Sequence, residues 1–153
     1  MGTPLITSGP VKQALINKLR GNSAIDAAAV GGIHEGLNAS DTIKYPYVVL
    51  SLASAPYEFD WGSAMFVSSY DIVVRGPNPV EVNRLDALIT AELNDSSLSV
   101  PEPNPEDPED PGTLTSLNLR REEELPLPPE RSAMGRKIYQ NGANYSVWLH
   151  HRL

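Results

Sequence analysis

Cysteine is absent from this chain of 153 residues. Without thiols the protein has no disulfide, no thiolate zinc site and no cysteine nucleophile, so its fold must depend on packing or on neighbouring subunits. A reducing compartment is compatible with this composition. Apolar runs are far shorter than the roughly 20 residues of a membrane helix, and the first residues lack the charged and apolar regions of a signal peptide. We therefore expect a soluble protein that is not exported.

Basic residues are scarce relative to acidic ones, with 12 Lys and Arg against 19 Asp and Glu and a formal net charge of -7. Duplex binding depends on clustered Lys and Arg that neutralise phosphates, so this balance disfavours a general nucleic-acid binder. The stretch 101–112 holds five acids and no base, which leaves about -2 for the rest of the chain. The acidity is therefore local.

The clearest pattern is a strand followed by a helix. Residues 66–75 alternate between apolar and polar side chains, which predicts a half-buried strand. Asn78 then suits a helix N-cap, Pro79 the first helical position and Glu81 the third. The helix is predicted to extend to Leu93 and to bury one apolar face, formed by Val82, Leu85, Leu88, Ile89 and Leu93.

The remaining elements follow from shorter patterns. We predict a helix over 11–20, a short helical turn over 23–30, an edge segment at 33–35, and strands at 48–53, 113–119, 136–140 and 145–150. Asn141-Gly142 fits either a hairpin turn or a bulge within one long strand, and the Asn-Gly pair favours the hairpin.

This order predicts an α+β fold in one domain, 1–153, with a largely antiparallel sheet, two main helices on one face and long Pro-rich loops. The other face, which carries Ser69, Asp71 and Arg75, is predicted to meet solvent or a neighbouring subunit.

An aromatic connection between two strands, 56–62, is the first candidate contact site. It contains Tyr57, Phe59 and Trp61, and aromatic side chains in a surface connection suggest a contact with another protein. The alternative is that Phe59 and Trp61 fold back over the edge of the sheet.

The acidic Pro-rich arm, 101–112, is the second candidate. Its acids are Glu102, Glu106, Asp107, Glu109 and Asp110. Five prolines stiffen an extended path, and the acids lack the alternate spacing and central glycine of an EF-hand calcium loop. The arm is either solvated, or reaches a basic surface on a neighbour, or presents negative charge where DNA must pass without binding.

A second charged, Pro-rich loop is predicted over 120–131. Arg120 and Arg121 stand beside three glutamates there, a mixed-sign run that suits salt bridges between subunits or a solvated face better than nucleic acid.

Residues for catalysis are not evident. The sequence has no phosphate-binding glycine loop, zinc-spaced His/Cys set or nucleophile elbow. His150 and His151 are adjacent, so on a strand they point to opposite faces and do not suit one metal ion. His34-Glu35 lacks a second histidine at helical spacing. We predict no catalytic, cofactor-binding or metal-binding residue, and no enzyme.

The succession of elements as a whole resembles a known family. The first helix, the Ala-rich turn, Ile33-His34-Glu35-Gly36 and Tyr45-Pro46-Tyr47-Val48-Val49-Leu50 are similar to the tail completion or tail terminator proteins of long-tailed bacteriophages. A long strand like 65–75, a helix like 80–93, a variable segment and a closing pair of strands continue the likeness. The chain departs from the family pattern at 101–112 and 125–131, which look like extended inserts.

The resemblance implies a structural virion protein in the tail or neck, assembled in the host cytoplasm. Its subunits would form a ring, expected to be a homohexamer, at the head-proximal end of the tail tube, ending tube growth and offering a docking surface to the head-side connector. DNA would pass through the centre without specific binding, and no membrane or cofactor is involved.

We hypothesise that the aromatic connection, the acidic arm and the two arginines make contacts in that ring. Two other classes stay open: another neck component, such as a head-side stopper or adaptor, and a small cellular enzyme or ligand-binding domain.

Overall fold

The structure is a computed structural model, and it describes residues 8–36, 44–58, 65–102, 112–132 and 134–150. Three helices and seven strands lie in these ranges. The helices are α1 (Ser8–Arg20), α2 (Ser23–Ala28) and α3 (Pro79–Leu93). The strands are β1 (Ile33–Glu35), β2 (Tyr47–Glu58), β3 (Met65–Gly76), β4 (Ser99–Glu102), β5 (Gly112–Glu124), β6 (Glu130–Arg131) and β7 (Lys137–His150).

The strands form one mixed sheet in the order β1-β2-β3-β7-β5-β4, and β6 pairs with β7. Only β1 and β2 run parallel among the described strands, and every other pair is antiparallel. A sheet that is mostly antiparallel with helices beside it is an α+β fold, so the predicted fold class is confirmed.

One hydrophobic core fills the space between the helices and one face of the sheet. Successive residues of a strand point to opposite faces, and on β3 the alternate residues Tyr70, Ile72 and Val74 are at most 1% exposed. They pack with residues of all three helices: Val11, Leu15, Leu19, Ile25, Val82, Leu85, Ile89 and Leu93. Each such aliphatic side chain contributes about 1.5–3 kcal/mol on burial, so this layer holds the fold together.

Helix α3 begins as its sequence predicts. The side chain of Asn78 accepts hydrogen bonds from the backbone N–H groups of Val80 (3.0 Å) and Glu81 (3.4 Å), and Pro79 occupies the first turn. Four of the five predicted apolar positions are buried, and Leu88 is half-buried. At its C-terminal half, Thr90 hydrogen-bonds the hydroxyl of Tyr145 on β7 at 3.0 Å. The helix is thus fixed to the middle of the sheet.

The predicted hairpin at Asn141-Gly142 is wrong, because β7 continues through both residues as one strand. The reason is the close approach of β3. A Cβ atom on Gly142 would lie 2.4 Å from the carbonyl oxygen of Ile72 and 2.9 Å from the Cα of Val73. Glycine is required here by space between two paired strands, not by a turn.

Two strands, β2 and β5, are longer than their sequence patterns predict, and a third, β4, is absent from the prediction. β2 extends to Glu58, so residues 56–58 belong to a strand and not to the aromatic connection. β4 includes Pro101 and Glu102, and β5 begins at Gly112, so both ends of the acidic arm are paired. β5 also extends to Glu124, which confines the second Pro-rich loop to the residues that follow. Pairing of β2 with β3, of β4 with β5 and of β5 with β7 overrides the weak local signals.

Candidate assembly interface

The sheet has two ends, and the predicted contact residues are unequally divided between them. At the end we call distal, β2 finishes, β3 begins and β7 finishes, with Glu58 opposite Phe66 and Phe66 opposite Leu149. Tyr57 lies here, opposite Val67. Glu102, on β4, lies opposite Gly112 of β5. Gly112 precedes Ser116, which pairs with Leu149, so it lies beyond that pair at the same end of the sheet. The backbone therefore carries both residues to the distal end, from two different strand pairs.

Six of the predicted contact residues lie outside the described ranges. They are Phe59, Trp61, Glu106, Asp107, Glu109 and Asp110. Their proposed contacts stay predictions.

Arg120 and Arg121 are neighbours on β5 with opposite surroundings. Arg120 is exposed and lies opposite Ser146, on the sheet face without helices. Arg121 turns toward α3, where its guanidinium lies 3.6 Å from a carboxylate oxygen of Asp86. Its backbone N–H also donates to the side chain of Asn94 at 2.9 Å. Of the two, Arg120 is placed to meet another molecule, whereas Arg121 ties β5 to the helix layer.

Asp86 is an acid held within this helix layer, and only 7% of its surface is exposed. Burial raises the pKa of its carboxyl, while the positive charge of Arg121 lowers that pKa and Glu124 raises it. Among the described residues, the Nε of Arg121 is buried without a hydrogen-bond partner. The Asp86–Arg121 pair thus connects α3 to β5, but taking its charges out of water costs free energy, as is typical of buried ion pairs.

The face of the sheet without helices, which we call the open face, carries a polar row that is hydrogen-bonded across its strands. The amide of Asn144 donates to the carboxylate of Asp71 at 2.9 Å, and the hydroxyl of Ser146 donates to Glu122 at 2.5 Å. Ser69 lies opposite Ser146 in the same row. A satisfied polar surface of this kind is stable in water and also suits a protein contact.

At the opposite end of the open face, an aromatic and charged cluster covers the start of β2. Tyr47 is 5% exposed and contacts the rings of His34 and Tyr45 at centroid distances of 6.1 and 5.6 Å. The guanidinium of Arg75 lies over the Tyr47 ring and pairs with Glu130 of β6. Burial raises the pKa of the Tyr47 hydroxyl, and Arg75 opposes that shift. The second Pro-rich loop is therefore anchored here.

A groove opens on the helix side at this same end of the sheet. It has a volume of about 490 Å³ and lies between α2, α3 and the Tyr45-Pro46 segment. Its lining is mostly apolar, with one cation and one acid: Ala24, Ala27, Ala28, Val30, Tyr45, Pro46, Leu85, Leu88, Arg84 and Glu81. The sequence predictions missed this groove, although the Ala-rich turn over 23–30 is its signal, since small side chains leave space between helices.

Within the described ranges, no group of three or more His, Cys, Asp or Glu residues is arranged to hold a metal ion. The three helices found there include none with the length and apolar character needed to cross a membrane.

Comparison with known proteins rests on structure alone. No protein-family model matches the chain, and no curated protein matches its sequence. Eleven chains of solved structures match its fold. One is a chain of the "Virion of native gene transfer agent (GTA) particle", with a TM-score of 0.69 and 12% sequence identity, and the alignment covers 97% of this chain and 100% of that one. This protein therefore shares its fold with a chain of that particle over 97% of its length.

Proposed function

We propose that this chain is a structural virion protein of a phage-like particle. It forms a ring at the head-proximal end of the tail tube, stops tube growth and provides the surface on which the head-side connector docks. The observation that carries the proposal is the full-length fold match to a chain of a gene transfer agent virion. The likeness of its sequence motifs to tail terminator proteins supports the same role.

The geometry suits a subunit that works through contacts. Two separate strand pairs bring Tyr57 and Glu102 to the distal end, and the open face presents a satisfied polar row with Arg120 beside it. A subunit that contacts its two neighbours through two different surfaces closes into a ring when the rotation between copies is a whole-number fraction of a full turn. Tube growth would stop at this ring if its head-side face binds the connector and not a further tube subunit.

The chain would bind itself, the tail tube protein and a head-side connector protein. DNA would pass through the ring without specific binding, because a net charge of -7 offers few cations to hold phosphates. No enzymatic step is part of this role.

A second position in the same particle is the competing proposal. The matched structure is named as a whole virion, which suits a stopper or adaptor on the head side of the neck equally well.

Depletion of the protein from the particle that encodes it separates these positions. Tail lengths are measured by negative-stain electron microscopy, with a plasmid copy of the wild-type chain as the control. Overlong, headless tails are expected for a terminator. Tails of normal length that fail to join filled heads would assign the chain to the head side, and intact infectious particles would overturn the virion role.

A further inference from the structure

The groove between α2, α3 and the Tyr45-Pro46 segment has the chemistry of a site for a Pro-rich acidic peptide. Its floor consists of alanines and of leucines from α3, and Tyr45 supplies an aromatic wall. Pro-rich segments bind such aromatic-lined grooves because their extended helix is already formed before binding. Val30, on the same lining, is 59% exposed and adds apolar surface to the groove.

Two cations at the groove are available to an acidic ligand. Arg84 lines it, and Lys44 is exposed immediately before Tyr45. Neither cation takes part in the ion pairs found within the described ranges. The lining itself carries one acid, Glu81, and the exposed Asp26 precedes the lining residue Ala27. The two cations are nevertheless available to pair with carboxylates of a bound segment.

The chain itself contains a segment of matching chemistry. Residues 101–111 hold five prolines, five acids and no base. Both ends of this segment are fixed in the sheet, since Glu102 pairs with Gly112. Nine residues lie between that pair, so the segment must leave the sheet and return. Nine residues at the maximum extension of about 3.5 Å each can reach no more than about 16 Å from the pair and return.

A chain is unable to place this segment in its own groove. The groove lies at the start of β2, where Tyr47 pairs with Arg75, whereas the segment emerges beyond the distal end, where Phe66 of β3 lies. Nine residues of β3 separate those positions, or about 31 Å, and β4 is four strand positions from β2, or about 19 Å. The diagonal separation of about 36 Å exceeds the maximum reach of about 16 Å.

We propose that the groove receives the acidic Pro-rich segment, 103–111, of an adjacent copy of this chain. The donor corner and the acceptor groove lie at diagonally opposite corners of the subunit, so each copy gives its segment to one neighbour and accepts one from the other. Such head-to-tail contacts produce a ring when they close. This inference rests on the proposed function, and it names the surfaces through which the ring would be joined.

Single cysteines provide a direct test, because the natural chain has none. Two full-length chains with different tags, one carrying Ala27→Cys and the other Asp107→Cys, are mixed and oxidised. The matched control pairs Asp107→Cys with Ala91→Cys, which also places the thiol at an exposed alanine on a helix but away from the groove lining. We expect the mixed disulfide at 27 and 107 to exceed the control by at least tenfold, and Arg84→Glu to lower its yield severalfold.

Three results would overturn the proposal. The first is an equal yield from the groove pair and the control pair. The second is a disulfide between positions 27 and 107 that forms within one chain when both cysteines are placed together, with no cross-link between chains. The third is a higher yield with Leu5→Cys in place of Asp107→Cys, which would assign the groove to the N-terminal segment.

The outcome is separable from that of the proposed function. If the cross-link is absent but depletion still produces overlong tails, the contact between groove and segment is wrong and the terminator role stands. If the cross-link is strong but depletion leaves particles intact, the contact stands and the virion role is wrong.

Discussion

The two faces of the sheet are made by the same strands, yet they differ in almost every physical property. On the helix side, Tyr70, Ile72 and Val74 are at most 1% exposed and belong to a single apolar cluster. On the open face, their neighbours Asp71 and Val73 are only half-buried, and the polar groups bond across strands. Stability is therefore concentrated on one face, and the other is left available for contacts.

Two adjacent residues of β3 measure this contrast directly. We expect Ile72→Ala to lower the free energy of unfolding by about 2–5 kcal/mol, because it opens a cavity in the closed core. Val73→Ala removes a side chain that water already reaches and should cost about 1 kcal/mol or less. Urea denaturation of the two variants and the wild type gives both values. Equal losses would show that the open face is as tightly packed as the core.

Gly142 tests whether the open face tolerates any added volume at the β3–β7 contact. Because a Cβ at this position meets the backbone of β3, we expect Gly142→Ala to cost about 1–3 kcal/mol in unfolding free energy and to push the two strands apart. Thermal unfolding measures the loss. Adding Val73→Ala is the control, and it should not restore stability, since the nearest atoms belong to the Ile72 carbonyl and the Val73 backbone. Full recovery would place the obstacle in the Val73 side chain instead.

Much of the fold was predictable because local signals agree with tertiary pairing. The Asn78 cap, the apolar face of α3 and the alternation of β3 each have a local physical cause, and the structure contains all three. Gly142 shows where local sequence signals fail to predict the structure. Asn-Gly has the chemistry of a turn, and only the approach of a strand almost 70 residues away in sequence reveals why glycine is needed there.

The candidate site was less predictable for the same reason. Arg120 and Arg121 look equivalent in sequence, and their difference depends on which one faces Asp86 of α3. The groove also depends on how α2 and α3 come together around small residues, and a run of alanines alone does not specify that arrangement. Sequence patterns identify exposed, charged or aromatic segments, whereas the relative placement of elements determines which surfaces they form.

Asp86 is a buried acid on the otherwise apolar helix side, and it should make the unfolding free energy depend on pH. Its pKa is raised in the folded state by burial, so the folded protein holds this proton more tightly than the unfolded chain does. The stability that Asp86 contributes is complete below the unfolded pKa, and it is lost as pH rises through the folded pKa. We expect Asp86→Asn to abolish that loss. The unfolding free energy of the variant should therefore increase relative to that of the wild type as pH rises from acid toward neutral. Denaturant titrations at a series of pH values measure the difference.

Substitution of Arg121 is a second test of the same pH dependence. Its positive charge lowers the pKa of Asp86, so Arg121→Met should raise that pKa further and steepen the loss of stability with rising pH. In an Asp86→Asn background, Arg121→Met should leave the pH dependence unchanged, because the acid that titrates is gone. Parallel pH profiles for the wild type and Asp86→Asn would show that Asp86 ionises as readily in the fold as in the unfolded chain. The helix side would then accommodate a charge at no cost, and the contrast between the two faces would be weaker than their exposures indicate.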